Sequence, residues 1–223
     1  MTAMFRAVLY TQWKWSRLIV VLGTVAAFAI PLVSLQGAAR GGAGRGALQA
    51  QDLLRSVQSW GAIYPLLATT LGLLIAMAAW AADHRGRHIH ALTLPIQRWQ
   101  YVLLRFGAGF VLLAAPIAAV LLGALLATWT ATLPPGLQAY PIALAVRFGF
   151  AVFVAFAVFF AISAGTARTA GIILGVIGAI ILVQVLAGIA NIDLNLFGVA
   201  QTALALGPGP LAVFTGRWML VDV

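Results

Sequence analysis

The 223-residue chain has no cysteine, only three histidines and only four acidic residues. Without cysteine there are no disulfides and no thiolate metal sites. Charged residues make up 8% of the chain, where a soluble domain carries about 25%. The apolar share is 63% and the mean hydropathy +1.06. A soluble fold could not hide that much apolar surface, so a membrane is the natural solvent.

The polar groups that do occur are unevenly placed. His84, His88 and His90 all fall within "AADHRGRHIHALTLPIQRWQYVLLRFG", residues 81 to 107. No long apolar run contains a histidine, which excludes the axial ligands of a membrane haem. Asp52, Asp83, Asp193 and Asp222 lie at the ends of apolar runs or between them. A proton-coupled carrier needs carboxylates at membrane depth. Ser163 has no histidine or lysine near it in any apolar run, as an intramembrane protease would require. No catalytic residue and no resident cofactor is expected on this chain.

Five uncharged runs are long enough to span a bilayer as helices, since helices satisfy their own backbone groups in lipid. They are Leu18–Leu35, Trp60–Ala82, Phe106–Thr128, Phe148–Ala167 and Ala170–Ala190. A sixth stretch, Phe197–Gly216, is broken by "GPGP" at 207–210. It reads as a short broken span or an external re-entrant segment. The end at Val223 also looks as though a further span could have followed. The expected fold is therefore all-α and polytopic, with five clear spans and a broken or missing sixth. The first run is longer than a cleavable signal peptide and lacks its small-residue cleavage pattern.

Before the first span, residues 4–17 read as an amphipathic helix. Arg6, Tyr10, Lys14 and Arg17 share one side, with Phe5, Leu9 and Trp13 beside them. Such a helix lies in the membrane interface before the chain turns into the span. This separates an interfacial element, 1–17, from a permease-like membrane domain, 18–223. Residues 36–59 form an external linker opening with "QGAARGGAGRGA". It lacks the GxxxxGK[ST] pattern of a phosphate loop.

The formal net charge is +9. The basic residues sit beside apolar runs, which argues for the positive-inside rule and against nucleic acid. Arg6, Lys14, Arg17, Arg85, Arg87, Arg98, Arg105 and Arg168 fall on one side; Arg40, Arg45, Arg55 and Arg147 fall on the other. That bias puts the N-terminus and the 83–100 loop in the cytoplasm of an inner-membrane protein. Arg147, at the outer edge of the fourth span, is expected to snorkel to the headgroups. Gly171 and Gly175 form GxxxG, followed by Gly178, and are expected to pack helix on helix. Gln184 is expected to hydrogen-bond between helices.

His84 and His88 are four apart and could share a helical face. No regular third ligand and no HExxH carboxylate accompanies them, so no metal is assigned. The loop reads better as structure. A short helix carries Ile89, Leu92 and Ile96 on one face. Leu94 is pushed toward extended geometry by Pro95, and Pro95 opens the next helix.

The pattern Asp83-x-x-Gly86, Leu92-Thr-Leu94-Pro95-Ile-x-Arg98 and then Arg105 resembles the loop of ATP-binding-cassette (ABC) transporter permeases of the type-2 exporter class. The likeness covers most of the chain in organisation and residues 83 to 105 in motif. It departs at Arg87, where the family has threonine, and at His88 and His90, where acidic residues are usual. Family members also have six spans. The resemblance implies an exporter subunit whose 83–100 loop couples to a cytoplasmic ABC ATPase. The contacts would come from Asp83, Arg85, Gly86, His88, Leu92, Leu94, Pro95 and Arg98. ATP and magnesium would sit on that partner, and a second permease copy or paralogue would complete the pathway. The composition of the spans favours an apolar or amphipathic substrate. Hydropathy fits a non-transporting membrane anchor or scaffold equally well. The histidines either tune the partner contact with pH or face water.

Overall fold

The structure is a computed structural model. It describes residues 2–41, 53–55, 57–58, 60–85, 97–131, 136–164, 171–172, 174–176, 178–179, 182–183, 210–214 and 216–222. Among the described residues four long helices carry the fold: α1 (Thr2–Gly41), α2 (Ile63–Arg85), α3 (Arg98–Thr130) and α4 (Pro141–Ser163). All four are long and apolar enough to cross a membrane. Two two-residue strands, β1 (Gln138–Ala139) and β2 (Val221–Asp222), pair antiparallel, and a short 3-10 helix covers Pro210–Phe214. Of the fifth expected span only scattered residues are described, all helical; the stretch from 197 to 209 lies outside the described residues.

The sequence explains the boundaries. Gln97 is extended and α3 starts directly after it, just past Pro95. Pro141 opens α4, where its missing N–H costs nothing and its fixed φ suits a first turn. That start is seven residues earlier than the uncharged run suggested. Pro31 and Pro116 sit inside helices that continue past them, as proline can in lipid when neighbours hold the freed carbonyls.

Residues 4–17 and the first span were expected as two elements joined by a turn. They form one 40-residue helix with no break. Gln12 meets Arg105, while Phe5 lies against Gly107. Moving back seven residues on α1, about 10 Å, thus moves forward about 3 Å on α3. Further on, the Phe28 backbone lies against Gly123. From Gln12 to Phe28 the two helices advance together. The first turns of α1 thus touch α3 around 105–107, and the remainder runs alongside it.

Packing relies on small residues. Apolar burial gives helices little reason to associate in lipid, so close backbone approach does much of the work. A Cβ on Gly123 would lie 2.3 Å from the Phe28 carbonyl oxygen. On α2, a Cβ on Gly72 would lie 2.6 Å from the Ala155 Cβ and 2.7 Å from the Phe156 backbone nitrogen. Gly109 leaves room for the Phe156 ring, which joins Phe106 and Phe160 in an edge-and-tilt cluster between α3 and α4. The result is two parallel pairs, α1 with α3 and α2 with α4. Gly171, Gly175 and Gly178 are elsewhere: no described atom lies within 4 Å of the positions their Cβ atoms would take. Most of the chain around them lies outside the described residues.

The end of the chain folds onto the end of the bundle opposite the N-terminus. Trp218 stacks on Tyr64 at 6.4 Å and 10°. Tyr140 N–H donates to the Leu220 carbonyl at 2.9 Å, extending the β1–β2 pairing. Arg147 was expected to reach for headgroups. Instead its guanidinium lies 4.5 Å from the Trp218 ring and donates to the carbonyls of Val213 (3.2 Å) and Arg217 (2.6 Å). A charge inside a helix end is tolerated because the folded-back tail supplies acceptors. Replacing Arg147 with Gln should release this tail. Trypsin cleavage after the exposed Arg217 should rise roughly tenfold, the effect of about 1.4 kcal/mol of easier local opening. An unchanged cleavage rate would mean that the strands and Trp218 hold the tail unaided.

Candidate functional site

The polar cluster that the sequence places around residue 83 is centred on a buried ion pair. Asp83 sits in the last turn of α2, and Tyr101 and Arg105 sit four apart near the start of α3. That spacing puts the two on one helical face. Arg105 Nη2 donates to Asp83 Oδ1 at 2.8 Å. The Tyr101 hydroxyl lies 3.0 and 3.1 Å from the two Asp83 oxygens and shares its proton between them. Arg105 Nη1 donates to the Ala79 carbonyl. Its guanidinium lies over the rings of Tyr101 (4.8 Å) and Trp80 (5.4 Å). Trp80 in turn donates to the Phe160 carbonyl at 3.2 Å, which links the site to α4. Gln12 Nε2 donates to the Arg105 carbonyl at 3.1 Å and links it to α1.

Asp83 is 2% exposed and Arg105 7%. A carboxylate near a helix C-terminus faces the negative end of the dipole. Asp83 is tolerated there because Arg105 and Tyr101 saturate it. Because Gln12 Nε2 must face a carbonyl, the remaining amide atom is an acceptor. That atom, Oε1, and Arg105 Nε are the two buried atoms of the network without a partner.

The arrangement has a mechanical character. The carboxylate is neutralised and enclosed, and among the described residues no group of three or more metal-ligating side chains converges. All four long helices meet at this point.

Several expected contact residues are placed differently or lie out of view. Asp83 was expected to face a partner; the structure turns it inward. Arg98 is exposed at the start of α3. The side chain of Arg85 lies outside the described residues, as do Gly86, His88, Leu92, Leu94 and Pro95. Tyr101, Trp80 and Gln12 were not singled out as site residues by sequence reasoning. The i, i+4 pair Tyr101–Arg105 was the available signal.

Comparison of the chain with models of known protein families, with characterised proteins and with solved structures finds no match in any of the three.

Proposed function

We propose that the chain is the membrane-spanning permease subunit of an ATP-driven ABC exporter, coupled to a separate cytoplasmic ATPase and to a second permease copy or paralogue. The observation that carries this reading is the Asp83–Arg105 pair, clamped by Tyr101. It ties together the two helices from which residues 86–96 emerge. Asp83 and Arg105 are also the first and last charged positions of the motif that resembles the exporter loop. A load applied to that loop enters α2 and α3 through one rigid joint. Through Trp80 and Gln12 the same joint reaches α4 and α1. Packed helices shift as units, so one push would move the whole bundle.

One further feature supports the reading. The exposed cations Arg6, Lys14, Arg17 and Arg98 gather at the N-terminal end, which favours a cytoplasmic face there. The exported molecule would be apolar or amphipathic.

The test is purification of the full chain from native membranes with partners identified by mass. A soluble subunit with Walker motifs is expected. Leu92→Ala, Pro95→Ala or Arg98→Ala should each lower stimulated ATPase activity at least about fivefold, about 1 kcal/mol of lost coupling, with insertion unaffected. Recovery of other membrane complexes without an ATPase would instead identify an anchor subunit. Normal ATPase coupling in all three variants would refute the docking assignment.

A further inference from the structure

A second feature lies on the opposite flank of α1 from the ion pair. Arg6, Leu9, Tyr10 and Trp13 form one wall of a groove of about 340 Å³, and Val111 and Leu112 of α3 form the other. Apart from Arg6, the Tyr10 hydroxyl and the Trp13 indole N–H, the walls are hydrocarbon and aromatic rings. Val111 and Leu112 lie two turns further along α3 than Arg105, toward the middle of that helix. The groove lies between α1 and α3.

The charge around it has no internal answer. Arg6, Lys14 and Arg17 are exposed along the same side of α1, with Arg98 exposed nearby in sequence to the Asp83–Arg105 joint. The α1 sequence contains no acidic residue. Among the described residues the only carboxylate at this end is Asp83, and it is enclosed against Arg105. The counter-charge for the α1 cations must come from outside the described protein. Tyr10 and Trp13 are ring systems with a polar edge, suited to the depth of lipid headgroups.

From this juxtaposition we infer that the groove is a seat for one anionic phospholipid. Its phosphate pairs with Arg6, and Lys14 and Arg17 add to the attraction. One acyl chain lies along Leu9, Val111 and Leu112. The seat does not depend on the chain being a transporter subunit. A cation near a charged membrane surface contributes about 1 kcal/mol, so a row of three should distinguish headgroup charge clearly.

The experiment is native mass spectrometry of the purified full chain. It is presented with phosphatidylglycerol or phosphatidylcholine carrying identical acyl chains. Retention of phosphatidylglycerol should be at least about tenfold greater, the ratio equivalent to about 1.4 kcal/mol. Arg6→Gln should cut that preference several-fold, Arg6→Lys should restore most of it, and Arg6→Gln with Lys14→Gln should abolish it. Val111→Trp keeps every charge but fills the groove, and should weaken retention of both lipids. Excess glycerol phosphate, which has the headgroup chemistry without a chain, should fail to displace the bound lipid.

Equal retention of the two lipids by the wild-type chain would overturn the proposal without needing any variant. So would a preference that survives the double substitution, as would displacement by glycerol phosphate. An unaffected Val111→Trp chain would also refute the seat. The readout is lipid binding, so its failure leaves the ATPase-coupling reading standing, and the reverse holds too.

Discussion

Replacing Asp83 with Ala is expected to destabilise the folded chain by about 3–5 kcal/mol, the usual cost of leaving one member of a buried ion pair alone. Arg105 would keep its bond to the Ala79 carbonyl but would hold an uncompensated charge at 7% exposure. The Tyr101 hydroxyl would lose its acceptor as well. Asp83→Asn should cost less, because the amide oxygen can still accept from Tyr101. The informative comparison is with Asp83→Leu combined with Arg105→Met. Buried pairs replaced together by apolar residues of similar size are often tolerated. The double variant should therefore be more stable than either single one, which a thermal melt followed by tryptophan fluorescence would show. Strict additivity of the two single losses would mean that Asp83 and Arg105 do not act as a pair. If the double variant folds but no longer couples to an ATPase, the joint transmits force beyond holding the fold.

The second large effect is expected at the helix crossings. Gly123→Val places a Cβ 2.3 Å from a backbone oxygen of α1, and Gly72→Val places one 2.7 Å from a backbone nitrogen of α4. Overpacking ordinarily costs about 1–3 kcal/mol because side chains move aside. Here the obstacles are backbone atoms, so whole helices must separate. Each substitution should cost about 3 kcal/mol or more and lower the yield of folded protein. Gly109→Ala is the useful contrast. Its nearest obstacle is the Phe156 ring edge, which can turn, so a smaller loss is expected there. Equal melting temperatures for the wild type and Gly123→Val would show that the α1–α3 crossing is looser than these distances imply.

The helical, membrane-spanning character of the chain was legible in hydropathy alone. Four of the long apolar runs are helices, and Arg105 enters the third as expected. What pattern reading could not supply was register. Asp83 and Arg105 are 22 positions apart, and which side chain meets which depends on how α2 and α3 are rotated. The same applies to the glycines. GxxxG drew attention to Gly171 and Gly175, but a spacing motif does not say what lies opposite. The close approaches use Ala68–Gly72–Ala76 and Ala119–Gly123–Ala127, two stripes of small residues at four-residue spacing that are buried along their length. They were present in the sequence, hidden by the abundance of alanine. Arg147 misled for a related reason. A charge at the margin of an apolar run looks like a boundary, and its acceptors lie some 66 to 70 residues away.

The folded-back tail also sets a timetable. Gly61 and Tyr64 receive Trp218 only after about 150 further residues have been synthesised. At ordinary translation rates that is on the order of 10–30 s. Once Ser163 has been made, and for the rest of that interval, α2 and α4 are complete while their shared end stands uncovered, with the Arg147 guanidinium waiting for carbonyls not yet made. Residues 216–222 thus close that end of the bundle only after the helices they cover have been made. A nascent chain stopped before Pro210 would present bare aromatic and cationic groups at that end, a surface that quality-control proteases could distinguish from the covered bundle.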